Sequence, residues 1–254
     1  MDAAANEAVP KRAHGVTAKL VPLLPAQEAR AEIEILAILP DVPPHIAQLR
    51  VTAGDLGQLV LRQLAALLIL LFISPLLAVF AWIIRSDGGP ATFAHYRVGL
   101  GGRVFRCLKF RTMRLDAEKA LQQVLERDPA LRAEWSRNQK LAHDPRVTRF
   151  GRWLRELSLD ELPQLFNVLR GEMALVGPRP ITTAELPRYG PARWHYLSVA
   201  PGMTGLWQVS GRNRTTYERR VELDRQYVTG RSAWLDLKIL AKTILVVITR
   251  DGAC

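Results

Sequence analysis

The chain has 254 residues, a formal charge of +11 at pH 7 and a mean hydropathy of +0.01. These values exclude a chain that is disordered throughout and a membrane protein with many spans. Two cysteines are too few for a disulfide scaffold or a common four-ligand zinc site. The charge is uneven, with a net −2 over residues 1–60 and +13 over residues 61–254. The basic part indicates an anionic partner, whether nucleic acid, a membrane surface or a phosphorylated substrate.

The N-terminal part, residues 1–57, is predicted to be a flexible tail. Six of the 16 prolines fall within its first 50 residues, and such a composition favours an extended chain over a packed core. A short apolar run from Ile33 to Leu39 is interpreted as a small strand or a docking segment.

A membrane helix is predicted over residues 58–86. Residues 64–84 are 21 consecutive uncharged and mostly apolar residues, which is long enough to cross a bilayer. Ser74 and Pro75 lie at the midpoint, where proline favours a bend and the serine hydroxyl can bond a carbonyl that the bend releases. The residues alone leave two interpretations open: a single kinked span, or a re-entrant helix that enters and leaves on one face.

The remaining residues, 87–254, are predicted to form one compact domain, so the chain as a whole has an α+β, mostly helical fold. The hydrophobic pattern and the turn residues predict a β-hairpin, several amphipathic helices and a rigid proline-flanked loop. The predicted elements are strands at 92–98 and 103–110, two helices within 115–142 divided at Asp128-Pro129, a basic helix within 143–156, a helix over 158–172, a loop at 175–182 and an interfacial helix over 232–249.

The most informative segment for chemistry is Ser158-Leu159-Asp160-Glu161. One interpretation is a capping box, in which Ser158 and Glu161 only stabilise a helix N-terminus. The other uses the same helix end to keep Asp160 ionised as a nucleophile towards phosphorus, with Glu161 beside it as a ligand for a divalent metal.

Basic residues surround that segment in the sequence. Arg146, Arg149, Arg152 and Arg155 are spaced by three and are predicted to lie along one face, either solvated or facing an anion. Arg179 lies between two prolines in a stiff loop. Other candidates for binding phosphate are Lys109 and Arg111, expected on one face of a strand, and Arg212 in a glycine-rich loop.

Together these segments resemble the bacterial sugar transferase family, whose members are monotopic phosphoglycosyl transferases. The resemblance covers residues 58–254. It rests on residues 70–80, 88–113, 144–180 and 201–212, and on Asp224, Tyr227 and Asp236 further on. The pattern is most similar to hexose-1-phosphate transferases of exopolysaccharide synthesis.

The resemblance implies an activity. Asp160 matches the nucleophile of the family, Glu161 its Mg²⁺-coordinating partner and Arg179 its phosphate-binding arginine. The implied reaction transfers a sugar 1-phosphate from a UDP-sugar to undecaprenyl phosphate through a phosphosugar–Asp intermediate and releases UMP.

The resemblance also implies a location. Ser74-Pro75 matches the helix-breaking pair of a re-entrant membrane helix, which places the catalytic domain on the cytoplasmic face of the inner membrane, in contact with its lipids. The hydrophobic edges permit a homodimer. His95 stands where many members have glutamine, a variant associated with galactose-type enzymes, so galactose or glucose is expected.

Two other classes of function were compared with this one. A non-catalytic basic membrane adaptor would suit the charge and the apolar C-terminal helix. A nucleic-acid binder would explain the charge but not the apolar segment, and the chain has no recognisable base-reading motif, so no nucleic-acid partner is expected.

Overall fold

The computed structural model describes residues 53–138, 141 and 144–249. Most of the predicted tail, including Ile33 to Leu39, therefore lies outside the described residues. Four helical ranges predicted from the sequence are present with small changes of boundary: the membrane helix, the pair within 115–142, the basic helix within 143–156 and the C-terminal helix. The helices are α1 (Ala53–Arg85), α2 (Ala117–Arg127), α3 (Pro129–Asn138), α4 (Arg149–Glu156), α5 (Gln164–Leu169), α6 (Arg193–Leu197), α7 (Tyr217–Gly230) and α8 (Ala233–Thr249).

The strands form two small sheets. Strands β1 (Thr92–Val98) and β2 (Val104–Phe110) pair antiparallel as a hairpin, which confirms the predicted hairpin to within one residue. Strands β3 (Ala174–Val176) and β4 (Gly202–Thr204) pair in parallel. Three-residue 3-10 turns at Leu100–Gly102, Leu159–Glu161 and Arg212–Arg214, and a longer 3-10 segment at Thr183–Ala192, connect these elements. The fold is thus α+β and mostly helical.

Helix α1 runs without interruption through Pro75. The Ser74 hydroxyl donates a hydrogen bond of 2.9 Å to the carbonyl of Leu71. Leu71 is four residues before Pro75, so its carbonyl is the one that proline leaves without an N–H donor. The predicted role of the serine hydroxyl is therefore confirmed, whereas the interruption of the helix expected of a re-entrant segment is not seen. The segment Gly57–Arg85 is long and apolar enough to cross a membrane.

One face of α1 packs on the rest of the protein on both sides of Pro75. Before the proline, Ala66 and Leu70 are buried in a cluster with residues of β2 and α5. After it, Phe80 and Ile84 are buried against Phe110 of β2 and Leu154 of α4. The opposite face exposes large apolar side chains, among them Phe72, which is 87% exposed. An apolar surface of this extent in water would be unfavourable, so this face is suited to lipid.

The two predicted helices within 115–142 are confirmed as α2 and α3. Asp128 accepts a hydrogen bond of 2.8 Å from the backbone N–H of Ala130, and Pro129 is the first residue of α3. This is the expected arrangement of an N-cap followed by proline at the first helical position. The C-terminal helix predicted over 232–249 is α8, which buries Ile239 on its inner face and exposes several apolar side chains on the other, Trp234, Leu237, Ile244, Leu245 and Ile248.

Close backbone packing fixes the loop that follows β3. The backbone N–H of Gly177 donates to the carbonyl of Thr204 at 2.9 Å, and that of Gly202 donates to the carbonyl of Pro178 at 2.8 Å. A side chain at Gly202 would collide with the backbone of Gly177. Because neither glycine can gain a side chain without moving the other segment, the loop that carries Arg179 is held rigidly against β4.

The helix predicted over 158–172 is wrong in its extent. The chain forms a single 3-10 turn at Leu159–Glu161, and α5 begins only at Gln164, after Pro163. Ser158 adopts a left-handed backbone conformation (φ 56°) and its side chain caps no N–H group. The capping box is therefore absent, because a residue in that conformation directs its hydroxyl away from the N–H groups of the following turn.

Candidate active site

Asp160 and Glu161 lie beside Lys109, where the 3-10 turn Leu159–Glu161 packs against the hairpin. Lys109, near the end of β2, donates a hydrogen bond of 2.6 Å from Nζ to Glu161 Oε1, and its Nζ lies 3.9 Å from Asp160 Oδ2. Asp160 is only 9% exposed. The two carboxylates and the ammonium group thus form one charge cluster, although the lysine is about 50 residues away in the sequence.

The electrostatic environments of the two carboxylates differ. Burial raises the pKa of Asp160, and the charge of Glu161 raises it further, although Lys109 and Arg155 oppose the change. This direction corrects the expectation that a helix N-terminus would lower the pKa, since no full helix begins at this turn. Burial also raises the pKa of Glu161, but Lys109, Arg179 and Arg212 lower it more, so its net shift is downward. Glu161 is therefore the carboxylate that stays ionised most readily.

Arg179 approaches the same cluster from the rigid loop after β3. Its Nη1 lies 3.8 Å from Glu161 Oε1, the oxygen that also accepts the hydrogen bond from Lys109. Arg212, in the 3-10 turn after β4, donates from Nε to the carbonyl of Gln208 at 3.1 Å and acts electrostatically on Glu161. The structure thus brings Lys109, Asp160, Glu161 and Arg179 together, with Arg212 nearby.

The other arginines predicted from the sequence have different positions. Arg155 donates from Nε to the hydroxyl of Thr112 at 2.8 Å and lies close enough to lower the pKa of Asp160, so it borders the cluster. Arg146 lies outside α4, where it pairs with Asp144 at 2.7 Å and stacks on Trp135. Arg146 therefore does not share the predicted face with the arginines of α4, of which Arg149 and Arg152 are exposed.

Arg111 does not share a face with Lys109 as expected. Strand β2 ends at Phe110, so the alternation of side chains that the prediction assumed stops before Arg111. Its guanidinium pairs with Asp87 and donates to the carbonyl of Ile84 at 2.8 Å. These contacts link the end of α1 to the hairpin. They hold Arg111 away from the charge cluster, so its predicted role in binding substrate has no support from the contacts described.

Two groups of site residues were missed by the sequence analysis. Asn167 is fully buried and accepts a hydrogen bond of 3.0 Å from the backbone N–H of Leu108, next to Lys109. Glu185 lies between the guanidinium groups of Arg97 and Arg220. The only signal for Asn167 was a polar residue on the apolar face of a helix, and the Glu185 group had none, because its members are far apart in sequence.

The residues of the charge cluster can hold a divalent metal only if phosphate oxygens and water complete its coordination. Within the part of the chain that the structure describes, no group of three or more His, Cys, Asp and Glu side chains is placed to enclose a metal. Mg²⁺ in phosphate-transferring sites commonly uses one or two carboxylates together with phosphate oxygens and water. Asp160 and Glu161 supply two such carboxylates. Lys109 and Arg179 both contact the same oxygen of Glu161, Oε1.

Comparison with known proteins identifies the family to which this chain is similar. The family model described as bacterial sugar transferase matches residues 56–250. A UDP-galactose-lipid carrier transferase of Erwinia amylovora is 47% identical over 87% of this chain and 45% of its own length. An undecaprenyl-phosphate galactose phosphotransferase of Salmonella typhimurium is 51% identical over 74% of this chain and 40% of its length.

A shorter relative is matched over most of its length. The exopolysaccharide production protein ExoY of Rhizobium meliloti is 48% identical over 79% of this chain and 89% of its own length. By contrast, the chain spans less than half the length of the Erwinia and Salmonella proteins. The match over residues 56–250 includes α1, the hairpin and the whole cluster around Asp160. The chain belongs to the bacterial sugar transferase family.

Proposed function

We propose that this protein transfers a sugar 1-phosphate from a UDP-sugar to undecaprenyl phosphate and releases UMP, as the first membrane step of exopolysaccharide synthesis. The observation that carries the proposal is the burial of Asp160 beside Lys109, which also pairs with Glu161, with Arg179 near the same oxygen of Glu161. This arrangement offers one poorly solvated carboxylate among cations that suit a phosphate group. The similarity to an undecaprenyl-phosphate galactose phosphotransferase of Salmonella and a UDP-galactose-lipid carrier transferase of Erwinia supports the choice of donor and acceptor.

Asp160 acts as the nucleophile in this proposal. Its carboxylate oxygen forms a bond to the sugar-bearing phosphorus, while the bond from that phosphorus to the oxygen of UMP breaks and UMP leaves with the electron pair. An oxygen of undecaprenyl phosphate then attacks the same phosphorus, and the electron pair returns to the Asp160 carboxylate. Lys109 favours the ionised form of Asp160 that the first step needs, because its cation lowers a pKa that burial raises.

Glu161 is the residue that would hold Mg²⁺, together with phosphate oxygens of the donor. The bound ion would neutralise part of the phosphate charge and so assist attack by an anion. Arg179 is held by the rigid loop at a distance suited to the same phosphate group, and Arg155 and Arg212 border the cluster. We expect chelation with EDTA to stop the reaction and Mg²⁺ to restore it.

The packing of α1 along the body supports a monotopic membrane arrangement, which we propose to lie on the cytoplasmic face of the inner membrane. Its inner face contacts the body from Gln63, which donates to the carbonyl of Leu169, to Ile84. At 1.5 Å per residue this stretch is about 30 Å long, as long as the hydrocarbon core of a bilayer is thick. A helix covered by the body over that length is poorly suited to cross the bilayer, so we propose that both of its ends stay on one side of the membrane although the helix is uninterrupted at Pro75.

Replacing the nucleophile tests the reaction. We expect Asp160→Asn to abolish UMP release and to remove the covalent phosphosugar adduct, which intact-protein mass spectrometry detects after mixing with donor alone. Asp116→Asn is a matched control, because Asp116 is exposed and its carboxylate pairs with Arg114. Full turnover by Asp160→Asn would show that Asp160 is not the nucleophile.

Three further measurements test the donor, the topology and the oligomeric state. UMP release from UDP-glucose, UDP-galactose and their N-acetyl analogues identifies the sugar, for which we expect galactose or glucose.

Reporter tags at residues 1 and 254 are both expected on the cytoplasmic side. A periplasmic tag at residue 1 would show that α1 spans the membrane. Cross-linking in membranes tests the expected homodimer.

A further inference from the structure

Three arginine side chains from separate elements lie near one another, and one of them, Arg179, also contacts Glu161. Arg97 comes from β1, Arg179 from the loop after β3 and Arg220 from α7. Glu185 lies between two of them, with Oε2 3.7 Å from Arg97 Nη1 and Oε1 3.4 Å from Arg220 Nη1. We call the space bounded by Arg97, Arg179 and Arg220 the arginine pocket.

The ring of Trp207 completes the connection between the arginine pocket and the candidate active site. The Cζ atoms of Arg179 and Arg220 lie 5.7 and 4.7 Å from its centroid. Arg179 also lies 3.8 Å from Glu161, so this arginine belongs both to the arginine pocket and to the charge cluster of the candidate active site.

The guanidinium groups of the arginine pocket have few acceptors. Each arginine carries five N–H donors, yet within the described residues the three groups form one hydrogen bond to protein, from Arg220 to Glu185 at 3.4 Å. Arg220 is only 8% exposed, and its Nε and Nη2 are buried without a partner. Buried cations are normally paired or hydrogen-bonded, because leaving donors unsatisfied in a protein interior is costly.

The charge balance of the pocket points in the same direction. Glu185 pairs with both Arg97 and Arg220, Asp224 interacts electrostatically with Arg220 and Arg179, and Arg179 shares Glu161 with Lys109. Burial lowers the pKa of Arg97, and the charge of Arg179 lowers it further. An anion with several acceptor oxygens, as in a phosphate monoester, would satisfy the open donors and offset this repulsion.

The stereochemistry of phosphoryl transfer adds a constraint, which rests on the proposed function. Attacking and leaving oxygens lie roughly in line at phosphorus. UMP therefore leaves from the side opposite Asp160, and the lipid phosphate must attack from the side opposite Asp160 as well. Both phosphates then occupy the same region in turn.

We propose that the arginine pocket is a single phosphate subsite that holds first the phosphate of the departing UMP and then the phosphate of the incoming lipid acceptor. Arg97 and Arg220 then bind substrate phosphate directly. Glu185 is a positioning residue that orients both guanidinium groups through its ion pairs with them.

The test uses the full chain in detergent micelles and glutamine variants of the pocket. UMP is titrated into each protein by calorimetry without donor or lipid, and UMP inhibition is then measured against undecaprenyl phosphate at a fixed concentration of UDP-sugar. Arg225→Gln is the matched control, because Arg225 is exposed on the same helix and pairs with Glu222.

We expect UMP to compete with undecaprenyl phosphate in the unmodified protein. Arg97→Gln and Arg220→Gln are each expected to weaken UMP binding and to raise the KM for the lipid phosphate, both by about tenfold or more, as loss of a charged hydrogen bond predicts. Arg225→Gln is expected to change neither. Arg220→Lys should recover part of the loss, and Arg97→Gln, on a different element, keeps the test decisive if Arg220→Gln does not fold.

Other outcomes would overturn the proposal. If the pocket variants affect only UMP or only the lipid, the subsite is not shared, and if they affect neither, the pocket binds no phosphate. If the unmodified protein releases no UMP from any UDP-sugar, the proposed function fails and the shared subsite with it. The calorimetric titration would still show separately whether the pocket binds a phosphate monoester.

Discussion

The side-chain oxygen of Asn167 accepts a hydrogen bond from the backbone N–H of Leu108 at 3.0 Å. The amide nitrogen of the same side chain donates to the carbonyl of Arg106 at 2.7 Å. Asn167 therefore replaces a neighbouring strand along the inner edge of β2 and ties α5 to the segment that carries Lys109. The distance between Lys109 and the two carboxylates depends on this connection, since Asp160 and Glu161 lie just before α5.

Removal of this amide is expected to destabilise the protein. Asn167→Ala leaves the N–H of Leu108 and the carbonyl of Arg106 without partners in a buried environment, at a cost of about 1–3 kcal/mol for each group. Chemical unfolding in detergent measures the change in the free energy of unfolding. Gln122→Ala is the control, because Gln122 is exposed and its side chain donates a hydrogen bond to Glu126. An unfolding midpoint equal to that of the control would contradict a structural role for Asn167.

The pH dependence of the first half-reaction is expected to follow Asp160. Asp160 must be ionised to attack, so the rate rises with pH through its pKa, which burial holds above the ordinary value. Lys109→Gln removes a charge that lowers this pKa and should move the acid limb of the profile to higher pH. Glu161→Gln removes a charge that raises the pKa and should move the limb to lower pH.

Residual rates of UMP release from pH 4 to 9 provide this measurement. Lys119→Gln, an exposed position on α2, serves as the control and should leave the limb in place. Shifts of the same sign in the Lys109 and Glu161 variants would mean that the limb reports a group other than Asp160.

Stability is expected to fall with rising pH because of Asp224. Burial raises the pKa of this carboxyl to about 7, although Tyr189 and Arg220 oppose the change. The unfolded chain loses the proton near pH 4, so between about pH 4 and 7 the folded state holds more protons and its stability declines as the pH rises.

The variant Asp224→Asn can keep the hydrogen bond from Tyr189, which joins its hydroxyl to Asp224 Oδ2 at 2.8 Å. We expect this variant to lose less Tm between pH 5 and pH 8 than the unmodified protein loses. Asp116→Asn should show the unmodified decline. An equally steep decline in Asp224→Asn would assign the pH dependence to other groups.

The two faces of α1 offer a matched pair of substitutions. Phe80 is buried and packs edge to face on Phe110, Phe150 and Trp153 with centroid distances of 6.0, 5.6 and 5.7 Å. We expect Phe80→Ala to cost about 3–5 kcal/mol of unfolding free energy. Phe72→Ala, on the exposed face, should leave unfolding in detergent unchanged but weaken binding to lipid vesicles. Equal destabilisation by both variants would contradict the division of α1 into a core face and a lipid face.

The parts of the fold that could be predicted are those governed by local chemistry. The hairpin and the junction of α2 and α3 at Asp128 follow from alternation of side chains and from capping, and both are confirmed. Ser158 was misinterpreted because the sequence of a capping box does not reveal a left-handed backbone. Arg111 was misplaced because β2 ends one residue before it. The contacts of Arg97 with Glu185 depend on tertiary packing, which no spacing in the sequence encodes.

Because α1 contributes core residues on both sides of Pro75, the apolar anchor and the catalytic body move as a single rigid unit. The height of Asp160 above the bilayer surface is then set by the depth to which α1 is embedded. A substitution on the exposed face of α1 that changes this depth would raise or lower the site relative to the plane of the lipid phosphates. The exposed face of α1 thus becomes a determinant of turnover, acting through geometry rather than through any contact with the reacting groups.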